Sequence, residues 1–93
     1  MTETTFQTDQ DKEIEVGVKE PAKVILFNDE AHTFDEVIEQ LIKALGCNYS
    51  RAEALTMQVH HTGKAVVYEG EMTRCVQVSA VLEEIALMTQ IEV

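Results

Sequence analysis

Between Thr33 and Gly46 the chain carries an apolar stripe that cannot stand alone. Phe34, Val37, Ile38, Leu41, Ile42 and Leu45 recur at the i, i+3, i+4, i+7 spacing that puts them on one face of a helix. Thr33 with Glu36 forms a capping box at its start, and Gly46 supplies a left-handed stop. A helix of this length is marginal in water by itself and is stabilised by covering an apolar surface. The other short segments of the chain must build that surface.

They read as alternating strands and helices. Lys23-Val24-Ile25-Leu26-Phe27 is a β-preferring run closed by the turn residues Asn28-Asp29. Ser50 with Glu53 repeats the capping-box signature, so a second helix is expected from there to about His61, with Ala52, Leu55 and Val59 inward and Gly63 as its stop. Lys64 to Glu69 reads as a strand. Glu71 or Thr73 opens a third helix with Cys75, Val78, Leu82 and Ile85 on its apolar side. From Leu87 to Val93 apolar and polar residues alternate in strand fashion. The order β-α-α-β-α-β predicts an α+β fold: a compact sandwich of a three-stranded antiparallel sheet with helices packed on one face.

The first twenty residues differ. Met1 to Glu20 is rich in Thr, Gln, Asp and Glu and has weak periodicity, so it buries too little apolar surface to offset the entropy of ordering it. Residues 1–21 are read as a flexible acidic extension and residues 22–93 as the core domain. The alternation of Ile14, Val16 and Val18 leaves a short edge strand as the other reading.

Charge narrows the function. With 17 acidic against 7 basic residues and a formal net charge of −10, the chain lacks the basic surplus that phosphate binding requires, and a nucleic-acid partner is not expected. The excess suits a cationic or ammonium-bearing ligand, or serves solubility. No apolar run approaches a membrane span and no secretory signal opens the sequence, so the cytoplasm is the expected location. Cys47 and Cys75 lie far apart with no CxxC, and no pair among His32, His60 and His61 has HxxxH spacing, so neither a metal nor another cofactor is expected. There is no GxSxG, no phosphate-cradling loop and no evident Cys–His nucleophile. The residues describe a binding module rather than an enzyme.

One constellation invites a ligand. Asn28-Asp29-Glu30 lies between a strand and a helix, where an Asx-type turn is the ordinary explanation. His60-His61-Thr62-Gly63 closes the second helix. An ammonium group has only donors, so carboxylate and amide oxygens opposite a neutral imidazole could hold it. Sequence spacing alone does not bring the two segments together.

Lys23 to Glu30, the helix that follows, and the ordered set Ala52-x-x-Leu55-x-x-x-Val59-His60-x-x-Gly63-Lys64-Ala65 together resemble the ClpS adaptor family from about Lys23 to Val93. The resemblance implies an N-degron receptor: a monomer that binds proteins whose first residue is bulky and apolar and hands them to a Clp-family AAA+ unfoldase of the ClpA or ClpC type. It implies that Asn28, Asp29 and His60 hold the substrate α-ammonium and that Val37, Val59 and Leu87 line the side-chain pocket. It also implies that the amino-terminal extension engages the unfoldase. Four positions depart from the family pattern. Glu30 replaces a second Asp, and His32-Thr33-Phe34 stands where Thr-Pro-Met is common. Thr56 stands in place of a Met that guards the pocket mouth, so easier entry of β-branched first residues is expected, with Phe34 reclaiming part of the space. The basic residue with which many members meet the unfoldase falls near Val78. The other reading is a protein-interaction domain of the ribosomal-stalk carboxy-terminal fold type, which has no use for Asn28, Asp29 and His60.

Overall fold

The computed structural model describes residues 21–93. The readings of residues 1–20 as an extension or an edge strand lie outside the described residues.

Six elements form in the expected order: β1 (Ala22–Phe27), α1 (Phe34–Leu45), α2 (Tyr49–Thr62), β2 (Lys64–Gly70), α3 (Met72–Glu83) and β3 (Thr89–Glu92). β1 is central, antiparallel to β2 on one side and to β3 on the other. Ala22, Val24 and Leu26 on one face of β1 are wholly buried, joined by Ala65 and Val67 of β2. The register slips between Val24 and Ile25, where Val24 pairs with Tyr68 but Ile25 pairs with Val66, a bulge that adds local twist. α2 and α3 pack on the sheet, and α1 packs against both helices. Ile38, Leu41, Ala52, Leu55, Val59, Cys75, Val78 and Leu82 complete one continuous core.

The helix ends follow their local chemistry. Thr33 Oγ1 accepts from the Glu36 N–H while the Glu36 carboxylate accepts from the Thr33 N–H, at 3.1 and 2.8 Å, so the capping box is complete. Gly46 and Gly63 both adopt positive φ, 69° and 92°, and close α1 and α2. The start of α2 departs from the Ser50–Glu53 expectation. Asn48 is the cap, its Oδ1 accepting from the Arg51 N–H at 2.9 Å, and the helix opens at Tyr49. Asn is among the strongest cap residues, and it takes the role two positions earlier than Ser50 would. α3 starts after Glu71, without a side-chain cap, and ends at Glu83, so Ile85 lies beyond it in the link to β3. Leu87 is buried but precedes the strand.

Side chains tie the helices together. Gln40 donates to the Val81 carbonyl at 2.6 Å, and Lys43 reaches the Glu84 carboxylate at 2.7 Å, which holds that carboxyl below its ordinary range. The Cys75 thiol is buried and donates to the Ala22 carbonyl, while Cys47 is half-buried. Among the described residues no helix is long and apolar enough to cross a membrane.

Candidate functional site

The sheet register does what sequence spacing could not. Phe27 pairs with Lys64 at the end of the β1–β2 ladder, and the next backbone N–H, that of Asn28, donates to the Gly63 carbonyl at 2.9 Å. The turn after β1 is thereby fixed beside the carboxy-terminal end of α2. On the other side of β1 the Phe27 N–H donates to the Met88 carbonyl at 3.0 Å, which brings the segment before β3 to the same place.

A cavity of about 90 Å³ opens where these three chain ends meet. Its interior is apolar, with Leu26, Val59 and Leu87 at 4% exposure or less and Val37 half-buried. Its polar lining comes from Asn28, Asp29, Glu30, His32 and His60. The rim, wall and departing pocket positions named from the family resemblance border one cavity, whereas His61, Thr62, Gly63 and Val78 are not among its lining residues. Leu26 and Phe27, read only as strand, border it as well. Their place directly before the turn was the available signal, since the last residues of a central strand end at the site that the following loop builds.

Thr56 requires a correction. It is 4% exposed and its hydroxyl donates to the Ala52 carbonyl one turn back at 2.8 Å, so it belongs to the pocket interior rather than to its mouth. The exposed position is Phe34, at 42%, whose ring stands edge-on to His60 with centroids 4.9 Å apart.

The polar groups differ in how far they are already engaged. The Asn28 amide donates weakly to Glu30 at 3.4 Å, leaving its oxygen as an acceptor. The His60 ring is exposed, and no hydrogen bond engages it among the described residues. Asp29 is the most committed. Its Oδ1 accepts from the backbone N–H groups of Ala31 and His32 at 3.0 and 3.2 Å, which makes the Asx-type turn real. Its Oδ2 lies 2.9 Å from His32 Nδ1. Partial burial pushes the Asp29 carboxyl up, but the hydrogen bonds from the His32 ring and the two backbone N–H groups, with the His32 charge, outweigh it and hold the group below its ordinary value. Among the described residues no cluster of three His, Cys, Asp or Glu side chains is arranged to hold a metal ion. The arrangement can receive one apolar side chain below a rim of hydrogen-bond acceptors.

The sequence profile of the family described as ATP-dependent Clp protease adaptor protein ClpS matches residues 18–90. The chain belongs to the ClpS family. ClpS is an adaptor family that works with Clp proteases, not a catalytic one. The ClpS of Wolinella succinogenes is 34% identical over 83 residues, covering 85% of this chain and 81% of that protein. The ClpS of a Nostoc species is 45% identical over 49 residues, about half of each chain. A segment of the human E3 ubiquitin-protein ligase UBR2 is 36% identical over 58 residues, 62% of this chain but only 3% of the ligase. In structure, ClpS2 of Agrobacterium tumefaciens bound to L-phenylalaninamide superposes with a TM-score of 0.69 at 22% identity, over 80% of this chain and 96% of that one. This likeness confirms the α+β sandwich fold.

Proposed function

We propose that this ClpS-family chain is an N-degron receptor, binding proteins through a bulky apolar first residue with a free α-amine and delivering them to a Clp-family AAA+ unfoldase. One observation carries the reading: an apolar cavity on the scale of a single side chain, rimmed by the Asn28 amide oxygen, the Asp29 carboxylate and the unengaged His60 imidazole. An α-ammonium presents donors only, so a rim of acceptors matches it, and the cavity below receives the first side chain. Val37, Val59 and Leu87 supply the apolar wall, and Thr56 lengthens it inward. L-phenylalaninamide, bound by the Agrobacterium ClpS2, carries a free α-amine and a large aromatic side chain, the chemistry this rim and cavity suit. The −10 net charge favours the approach of a cationic amino terminus.

The direct test is a panel of peptides identical except at the first residue, titrated against the full chain. Leu-, Phe-, Tyr- and Trp-initiated peptides are expected to bind in the micromolar range, about −7 to −9 kcal/mol, and Gly- and Asp-initiated ones much more weakly. Indifference to the first residue would reject the reading.

A further inference from the structure

His32 sits between two groups that can only accept. Its Nδ1 lies 2.9 Å from Asp29 Oδ2 and 3.1 Å from Oδ1, and its Nε2 lies 2.6 Å from the carbonyl oxygen of Ile85. A neutral imidazole has one N–H and cannot donate to both sides, whereas an imidazolium has two. Asp29 does not supply the missing proton, because the hydrogen bonds it accepts hold its carboxyl below its ordinary value and so ionised at neutral pH. The two partners are far apart in sequence: Asp29 borders the cavity, and Ile85 lies two residues before Leu87, which also borders it. Asp29 is on the turn after β1. Ile85 begins the α3–β3 link, which passes through Ala86 at a left-handed φ of 65° before Leu87 enters the pocket wall.

We propose that His32, doubly protonated, is the positioning residue of the ligand site: it clasps the Asp29 carboxylate to the Ile85 carbonyl and so sets both the acceptor rim and the Leu87 wall. The proposal rests on the N-degron reading for its ligand but not for its geometry. The hydrogen bond to Asp29 raises the His32 pKa from its ordinary 6.5 against the opposing effect of desolvation, with the Ile85 carbonyl and the charges of Asp29 and Glu36 adding to the rise. The other charged or titratable groups around the ring are Glu30 on the turn and His60 at the end of α2. Glu83 and Glu84 stand at the end of α3, the first bonded to Thr89 and the second to Lys43. The sign follows from the two shifts. The His32 contribution is complete below its unfolded value near 6.5 and is lost as pH rises through the higher folded value. The Asp29 contribution is complete above its unfolded value of 3.8 and is lost as pH falls through the lower folded one. The clasp is therefore strongest between those two unfolded values.

Charge alone and positioning predict opposite outcomes for a neutral substitute. If His32 served only as a counter-charge to Asp29, His32→Gln would free the carboxylate and tighten binding of an ammonium. If it positions the site, His32→Gln keeps a donating nitrogen on one side only, sets its amide oxygen against the other acceptor, and weakens binding roughly three- to tenfold. His32→Phe, with no donor, weakens it further. The probe is a Phe-initiated free-amine peptide titrated against the full chain at pH 6 and pH 8.5. The loss in His32→Gln is expected to shrink toward the higher pH, the direction in which the His32 ring gives up its second proton. Using the variant as reference cancels the titration of the peptide's own amine. Ring ¹⁵N resonances of the ligand-free chain are expected to show both His32 nitrogens protonated at pH 6.5 and a midpoint above that value. Tighter binding by His32→Gln, a loss independent of pH, or a neutral His32 ring at pH 6.5 would each overturn the proposal. Should no peptide bind, the ring titration still decides the clasp, while the first-residue panel decides the N-degron reading.

Discussion

At the residue scale the site depends on which acceptors are left free. The His60 imidazole can meet an ammonium by accepting a hydrogen bond at its unprotonated ring nitrogen. His60→Ala is therefore expected to weaken binding of a free-amine peptide roughly three- to tenfold, read by titration. His61 is exposed one residue on, its ring 5.2 Å from that of His60, and His61→Ala serves as the matched control that leaves binding unchanged. Unchanged affinity in His60→Ala would remove His60 from the rim. Thr56 tests the depth of the pocket. Being interior rather than at the mouth, it makes Thr56→Met a shortening of the cavity. Phe- and Trp-initiated peptides should then weaken more than Leu-initiated ones, by about 1–3 kcal/mol, read by titration. Equal losses for all three would show that Thr56 does not set the depth. The residue types of the acceptor rim were legible in the sequence because acceptor chemistry is local. The His32 clasp was not, because its second partner is a backbone carbonyl 53 positions away that no side-chain pattern marks.

At the element scale the ends of α2 carry different loads. The start rests on Asn48, so Asn48→Ala is expected to cost about 1 kcal/mol in chemical denaturation. Ser50→Ala, one residue inside the helix, is expected to cost less. The reverse order would restore the cap to Ser50. The sequence points to Ser50 because Glu53 follows it at capping-box spacing. The end rests on Gly63, where an added Cβ would meet nothing within 4 Å, so Gly63→Ala suffers only from its left-handed φ of 92°. A loss of at least about 1 kcal/mol is expected in denaturant unfolding. Binding should fall as well, because the Gly63 carbonyl receives the Asn28 N–H and any backbone shift there moves the rim.

At the scale of the whole molecule, three chain ends converge because β1 is central. The β2 register delivers the end of α2, the β3 register delivers the Met88 carbonyl, and β1 itself delivers the turn. The helix stripes and strand runs were legible because 3.6- and 2-residue periods are written locally in the side chains. The convergence was not, since register depends on pairing between segments distant in sequence. Leu26 joins core and site: wholly buried, it also borders the cavity. Leu26→Ala is expected to cost about 2–5 kcal/mol of stability, measured by thermal or chemical unfolding, and to enlarge the pocket floor. The central claim is that the rim recognises an α-ammonium, and one comparison addresses it most directly. The same Leu-initiated peptide is titrated against the full chain with its amino terminus free and acetylated. Acetylation removes the charge and the ammonium donors, leaving Asn28, Asp29 and His60 without their partner, so affinity should fall at least about tenfold. Equal affinity for the two peptides would contradict the account.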